Sequence, residues 1–393
     1  MAESLRILVL GGMAQMPFAG VAWQVLHYLE GFRRLGHDVL YVEDTGTWPY
    51  DPEEDSVTED ASAALRRLAG LMDGAGFGER WAYRDAAREG QVSGMTAGEL
   101  DTAIAGADVL VNLSGMTALR EAHLRVPLRV YLETDPVAPQ IEIAQGRTWT
   151  IDFLAAHTHH FTFGERLGAP DCGVPTGRFD YRPTRQPIVL DWWSPPEGYP
   201  AAPAGPLRFT TVANWEQTHR DIEWQGEVYT WTKSAEFLKL LDLPGQVEVE
   251  LELSLTLEDP ETIAMLESHG WRIRHLRELS RDPSAYREYI RGSGGEFTVA
   301  KDQNVRLRSG WFSDRTATYL AAGRPVVVQD TGFDVALPTG HGLLAFASAD
   351  EAAEALYEVA SDYPRHSRAA HELAQEHFRA ETVLARMLEA AGA

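Results

Sequence analysis

Cysteine is nearly absent: Cys172 is the only one in 393 residues. A single thiol can form neither an internal disulfide nor a cysteine-based metal site, which fits a reducing cytoplasm. Long hydrophobic runs are missing too. The apolar stretch Ile7–Leu10 has the length of a strand, and no segment reaches the about 18 continuous apolar residues of a membrane helix. The sequence therefore implies a cytoplasmic protein with no membrane partner. Basic residues are scarce: 35 Lys and Arg stand against 58 Asp and Glu, a formal net charge of −23. A phosphate backbone needs a basic face, so this balance argues against nucleic acid as a partner and against anionic membranes. It leaves room for a small anionic ligand, because local N–H groups and a few cations can oppose the global field.

What the chain does have is apolar content, 44% of its residues, in a length that suits two domains of roughly 150–200 residues. It opens with a strand over Arg6–Leu10, a Gly11-Gly12 turn, a helical pattern from Val21 to Leu35 closed by Gly36, and the buried strand HDVLYVED. That is a βαβ unit. Short apolar runs continue at 107–115, 127–135 and 159–165, the pattern of parallel strands covered on both faces. Residues 186–206 turn rich in Pro, Gly and Ala and read as an interdomain linker. The strand–helix rhythm restarts at 207 and runs to 365, and 366–393 read as a helical tail that could pack back on the first domain. The expected fold is α/β, with two Rossmann-like, doubly wound domains (1–185 and 207–365) facing a cleft. Ligands of such sheets bind at the C-terminal edges of the strands.

The densest chemistry lies in GEFTVAKDQNVRLRSGWFSDRTATYLAAGRPVVVQDTGF, residues 295–333. Ser313 and Asp314 are good N-caps for a short apolar helix. The first-turn N–H groups of that helix and its dipole form an anion site. Arg315 stands in the same turn, where a cation opposes the dipole until an anion arrives. Lys301, Arg306 and Arg308 make the preceding loop basic within an acidic chain. In the first domain, Gly11-Gly12-Met13 lets the backbone approach a ligand, but it is not a dinucleotide fingerprint. Glu133 and Asp135, in YLETDP, end a strand at the place where a general base should project. Asp135 before Pro136 reads equally well as a helix N-cap. His157, His159 and His160 need further partners to hold a metal, and read first as partly buried side chains near the cleft. Asp44 is a weaker base candidate.

The run from the helix start through LAAGRPVVVQDTG resembles the donor domain of GT-B-fold glycosyltransferases. GGMAQMPFAGVAWQVLHYLEGFRRLGHDVLYVED is similar to the first strand, glycine loop, helix and second strand of the same enzymes. The resemblance covers nearly the whole chain and extends to a bacterial group of glycosyltransferase-like proteins. It implies a metal-independent transferase, monomer or homodimer, that moves a sugar from a nucleoside-diphosphate donor to a small-molecule acceptor. The nucleotide sugar would be a co-substrate, with no other cofactor. It implies a diphosphate held by Lys301, Ser313, Asp314, Arg315 and Thr316, with Asn214, Trp215 and the Arg274-His275 turn around the nucleotide. Gly12 and Met13, and Asp330-Thr331-Gly332 after the Gly-Arg-Pro turn, would lie beside the sugar. Asp135 or Glu133 would deprotonate the acceptor. The sequence departs from the family's pattern at its Glu pair, two glutamates with seven residues between them, which falls here on Gly310 and Thr318. The ribose contact would then pass to another acid, Glu296 or Asp314. The loss keeps two other readings open: a nucleotide-sugar epimerase and a non-catalytic nucleotide-binding relic.

Overall fold

Continuous apolar runs become central parallel strands. RILVL at Arg6–Leu10 is buried after its first residue, and VLVNL at Val109–Leu113 is buried throughout. Alternate side chains serve opposite faces: Ile7 and Val9 join one apolar cluster, Leu8 and Leu10 another. A strand buried on both sides cannot show the polar alternation of a surface strand. The structure is a computed structural model that describes residues 4–194, 205–217 and 220–393. Its first sheet has eight strands. Their order in space is Tyr181–Pro183, His159–Thr162, Leu128–Glu133, Val109–Leu113, Arg6–Leu10, Asp38–Glu43, Trp81–Asp85 and Gln91–Ser93. Its second sheet has six, ordered Arg272–His275, Glu250–Leu255, Arg208–Ala213, Gly295–Thr298, Val326–Gln329 and Leu343–Phe346. Within these two sheets only the edge pair Trp81–Asp85 and Gln91–Ser93 runs antiparallel. The expected α/β class with two doubly wound sheets is what forms.

In each sheet the winding reverses beside the first strand of its domain. Arg6–Leu10 lies between Asp38–Glu43 and Val109–Leu113, and Arg208–Ala213 lies between Glu250–Leu255 and Gly295–Thr298. A crevice opens at the C-terminal ends of strands at such a switch point. Here both crevices line one cleft of about 840 Å³.

The two halves are tied together along one flank. Gly173 N–H donates to Leu307 O (2.9 Å) and Arg166 N–H to Ser309 O (3.1 Å). Gly164 bridges Trp311, whose indole N–H donates to Thr134 O at 2.9 Å. The helix Ala19–Arg34 packs on Ala380–Ala391 at one side and on Pro283–Gly292 at the other. Gly31 makes the first contact possible, since a Cβ there would stand 2.5 Å from Leu384 Cδ1. The 366–393 region is two helices, Tyr363–His377 and Ala380–Ala391, broken where Ile188 bridges Arg379. Among the described residues no helix is long and apolar enough to cross a membrane.

The expected linker needs correction at its start; 195–204 lie outside the described residues. Gln186–Ser194 are packed rather than loose. Ile188 N–H donates to Phe378 O (2.7 Å), and Trp193 is fully buried beside Trp23 and His27. Val189 N–H and the Trp193 indole N–H both face the His27 ring, at 3.1 and 3.0 Å. Burial and the nearby Arg34 lower the His27 pKa to about 3, so the ring stays neutral and accepts one of the two. Proline content hid this anchor, because Trp193 follows Asp191-Trp192 and precedes Ser-Pro-Pro. Trp193→Ala should therefore cost about 3–5 kcal/mol in urea unfolding. A change within about 0.5 kcal/mol, the usual size for a surface or linker position, would contradict the packed reading.

Candidate active site in the interdomain cleft

The glycine loop of the first domain is held from beneath by an acid. Glu43 ends the second strand, is fully buried, and accepts Ala14 N–H (2.8 Å), Gln15 N–H (2.5 Å) and the Tyr41 hydroxyl (2.7 Å). That hydroxyl in turn accepts Met13 N–H at 2.9 Å. Burial pushes the Glu43 carboxyl up to about 7 against these donors. Gly12 lines the cleft, whereas Met13 is buried and does not. Asp44 is not a base: Arg120 holds it at 2.6 and 2.7 Å and Arg84 at 3.4 Å. Glu43, its neighbour, is the acid that shapes the site.

YLETDP delivers two carboxylates with different fates. Both oxygens of Glu133 are taken. Gln140 Nε2 donates to each, at 2.7 and 2.8 Å, and the Thr162 hydroxyl donates to one at 2.6 Å. Glu133 therefore braces the turn rather than serving as the base. Asp135 lines the cleft with one oxygen on Lys301 and the other buried without a partner among the described residues. It is not a helix cap; the following helix, Ala138–Ala144, starts after Val137. Val137 has φ 97° and ψ −64° and is fully buried. For a β-branched residue this is a strained conformation, worth about 1–3 kcal/mol. Gln140 Oε1 accepts its N–H at 2.7 Å. The same amide thus braces the strained turn and Glu133, and the turn presents Asp135.

Glu133 makes the brace pH-dependent. Burial lifts its carboxyl from the ordinary 4.5 to about 7, with Thr162 and Gln140 opposing. Between those values the folded protein keeps a proton that the unfolded chain releases. This stabilisation is complete below 4.5 and is lost as pH rises through about 7. Glu133→Gln cannot titrate. Its stability relative to wild type should rise by on the order of 3 kcal/mol between about pH 4.5 and about pH 7.5, read from urea melts. A gap that does not move with pH would contradict the assignment.

On the second domain, the cations are mostly spoken for. Arg315 does not point at the mouth of its helix. Its Nε pairs with fully buried Glu296 at 2.6 Å, and its other nitrogens reach Val212 O and Thr298 Oγ1. Glu296 Oε2 has no partner among the described residues, but the residue is fully buried and outside the cleft lining, so it is not placed to meet a ribose in the cleft. Asp314 supplies the negative charge that the helix Asp314–Ala321 wants: its Oδ1 accepts Arg315 N–H at 2.9 Å. Burial raises this carboxyl above its ordinary value. Ser313 sits at the cap position without a capping bond, and Thr316 is wholly buried. The expected phosphate site at this helix start is thus filled by the chain's own carboxylate. Arg306 pairs with Asp302 and Glu227, and Arg308 with Asp330 and Asp171.

Besides Arg315, two cations of this domain line the cleft. Lys301 Nζ lies 3.6 Å from the centre of the Trp231 ring, and the Arg220 guanidinium lies 4.5 Å from it. Lys301 also pairs with Asp135 across the cleft. Burial pulls its ammonium below the ordinary value, while Asp135 supports the charge. Arg220 makes no ion pair among the described residues and is exposed. Arg220 follows the second domain's first strand, where a loop can meet phosphates; Trp231 carries no signal in the sequence.

Other expected residues fall elsewhere. Asn214 is exposed in the cleft and accepts the Thr256 hydroxyl at 2.9 Å. Trp215 is buried against Phe237. His275 is exposed at the end of an edge strand and outside the cleft lining, although Leu276 and Ser280 beside it belong to that lining. Asp330, Thr331 and Gly332 sit at the domain seam, not in the cleft lining. Gly332 N–H donates to Asp330 (2.7 Å), the Thr331 hydroxyl donates to Trp311 O (2.6 Å), and Gly310 N–H donates to Thr331 O (2.8 Å). Gly310 has φ 74°, and a Cβ there would stand 2.6 Å from Arg166 N. A glutamate cannot occupy that position, which accounts for half of the missing pair. His157 and His160 are buried, each paired with a backbone carbonyl. His341, Glu358 and His366 come together off the cleft lining. There Gly342 N–H donates to His366 Nδ1 (3.2 Å), which leaves the proton on Nε2 facing Glu358, and the Arg365 guanidinium caps His341.

Because Arg315 anchors Glu296, Arg315→Ala should destabilise the fold by about 3–5 kcal/mol, the effect of stripping one partner from a buried pair. The dipole argument alone expects almost no loss or a small gain. A thermal or urea melt separates the two.

The sequence matches no protein-family profile and no curated protein. Solved structures do match its fold. An alpha-glucosyltransferase in complex with UDP-glucose and DNA containing an abasic site aligns over 100% of both chains, with TM-score 0.60 and 12% identity. Anabaena Alr3699/HepE in complex with UDP and glucose aligns over 99% of this chain and 100% of its own, at 0.56 and 11%. AviGT4, a glycosyltransferase involved in Avilamycin A biosynthesis, aligns over 98% and 97%, at 0.53 and 12%. The chain has the GT-B glycosyltransferase-like fold. One expectation is overturned here. An end-to-end structural match is held in complex with DNA, so net charge does not exclude nucleic acid for this fold. Net charge sums the whole surface, whereas binding reads the local face.

Proposed function

We propose that the cleft transfers a sugar from a nucleoside-diphosphate donor to an acceptor hydroxyl, with Asp135 as general base and Lys301 and Arg220 against the diphosphate. The observation that carries this is the Asp135–Lys301 pair, set in the cleft that both switch points line. Sugar transfer in general is supported by the matched structures, which are glycosyltransferases, several with UDP or UDP-glucose.

The pair gives an order to the reaction. Without donor, Lys301 neutralises Asp135. An incoming diphosphate carries more charge than one carboxylate and takes Lys301, with Arg220 beside it. Asp135 is then released, and its second oxygen is already unpartnered. It takes the acceptor proton as the acceptor oxygen bonds to the sugar carbon and the bond from that carbon to the phosphate breaks. The leaving diphosphate's charge meets Lys301 and Arg220, the preorganised stabilisation that lowers such barriers. Two cations from the chain replace a divalent ion in this scheme.

The acceptor side of the cleft is aromatic. Trp149 is 72% exposed, stacks on Phe153 at 5.3 Å, and Phe153 meets Tyr131 edge-on. The nearby polar groups satisfy one another: Glu142 takes Arg147 and the Thr150 hydroxyl. A small acceptor with a flat apolar face suits this shelf.

Asp135→Asn should bind the nucleoside diphosphate as well as wild type or a few-fold more tightly, since a competitor for Lys301 is gone. Its transfer rate should fall about a hundredfold or more. Lys301→Ala should weaken nucleotide binding roughly ten- to hundredfold. The assay should run in EDTA, with phenolic and oligonucleotide acceptors side by side. Normal transfer by Asp135→Asn, or loss of all activity in EDTA, would overturn the scheme.

A further inference from the structure

One end of the cleft lies between the helix Ala19–Arg34, the segment Gln186–Ile188 and the helix Pro283–Gly292. It holds two polar atoms that the chain leaves unanswered. Tyr28 is 1% exposed and lines the cleft, and its hydroxyl has no hydrogen-bond partner among the described residues. Gln186 is 2% exposed and lines the same end. Its Nε2 donates to Phe312 O, which fixes the amide orientation and leaves Oε1 buried without a donor. Buried polar groups are normally paired, so two orphans on residues that line one cavity call for a partner that enters it.

The surroundings narrow the chemistry. Asp314 stands nearby: Gln24, one turn before Tyr28, approaches its Oδ2 at 3.4 Å, and its charge acts on the Tyr28 hydroxyl. Thr318 lines the cleft one turn further, with its proton spent on Arg315 O at 2.6 Å. The acceptors here are Asp314, Gln186 Oε1 and Thr318, beside the hydroxyls of Tyr28 and Tyr286, while the lining Arg315 is turned onto Glu296. The walls are Trp23, Ile188, Leu276 and Tyr286. Such a set repels a phosphate and matches neighbouring hydroxyl groups on a neutral ring. Neither Glu296, locked on Arg315, nor a residue at Gly310 can serve instead.

We propose that this end is a subsite for the vicinal hydroxyls of a sugar ring, held by Tyr28 Oη and Gln186 Oε1. It rests on the nucleotide-sugar reading of the cleft, and it places the specificity for the ring on the first domain. The ring is either the ribose or the transferred sugar.

Binding by calorimetry distinguishes the sources. The probes are UDP, GDP and ADP, the 2′-deoxy form of whichever binds most tightly, and its glucose conjugate. Tyr28→Phe should lose about tenfold in affinity, and Gln186→Met a similar factor, while Tyr28→Phe keeps or raises the melting temperature. If the ribose is the ligand, the loss appears with the plain diphosphate and disappears with its 2′-deoxy form. If the transferred sugar is the ligand, the loss appears only with the glucose conjugate. Variants that bind every probe as wild type does overturn the subsite, and leave two atoms that only water satisfies. A wild-type chain that binds none of the probes overturns the reaction itself, which is a separate failure.

Discussion

The cleft depends on one ion pair, Lys301 with Asp135, which joins the two domains across it. Both partners are largely withdrawn from water, at 12% and 21% side-chain exposure. A charge so placed is costly without its counterpart, so neither residue can be changed without consequence for the other. The same property makes the pair exchangeable. A more highly charged anion can take the cation and leave the carboxylate ready to accept a proton. Binding of donor and readiness of base are then one event rather than two.

The remaining structure keeps that pair in place. Trp311 holds Thr134, next to Asp135, from the second domain. Gln140 braces Glu133 and the strained Val137 turn on either side of it. Glu43 and Tyr41 fix the glycine loop opposite. On the other domain, Arg315 and Glu296 fasten the helix that carries Asp314 to two strands. Backbone bonds at 164–173 and 307–311 and an apolar cluster spanning both halves tie the domains along one side. Strain at one residue is tolerated because the surroundings over-determine it.

The fold was largely legible because it rests on local signals. Apolar runs of strand length, the glycine turn and LAAGRPVVVQD each report their own neighbourhood. Asp135 and Lys301 were each singled out, but their pairing spans 166 positions and leaves no local trace. Arg315 shows the limit most clearly. Helix electrostatics marked it as a charge without a home, and its home is an acid 19 positions back on a strand. Tyr28 reads as an ordinary core residue on an amphipathic helix; only the absent partner of its hydroxyl distinguishes it. Trp193 was hidden by the prolines that follow it. Net charge misled for a different reason, since it sums over surfaces that never meet the ligand.

In the proposed reaction the diphosphate replaces Asp135 at Lys301. A double-mutant cycle of Asp135→Asn and Lys301→Met on folding stability, run without nucleotide and again at saturating nucleoside diphosphate, tests it directly. The exchange predicts a coupling of about 0.5–3 kcal/mol in the free protein that shrinks to near zero when nucleotide is bound. Equal coupling in both states would mean that the pair survives donor binding, and would contradict the claim.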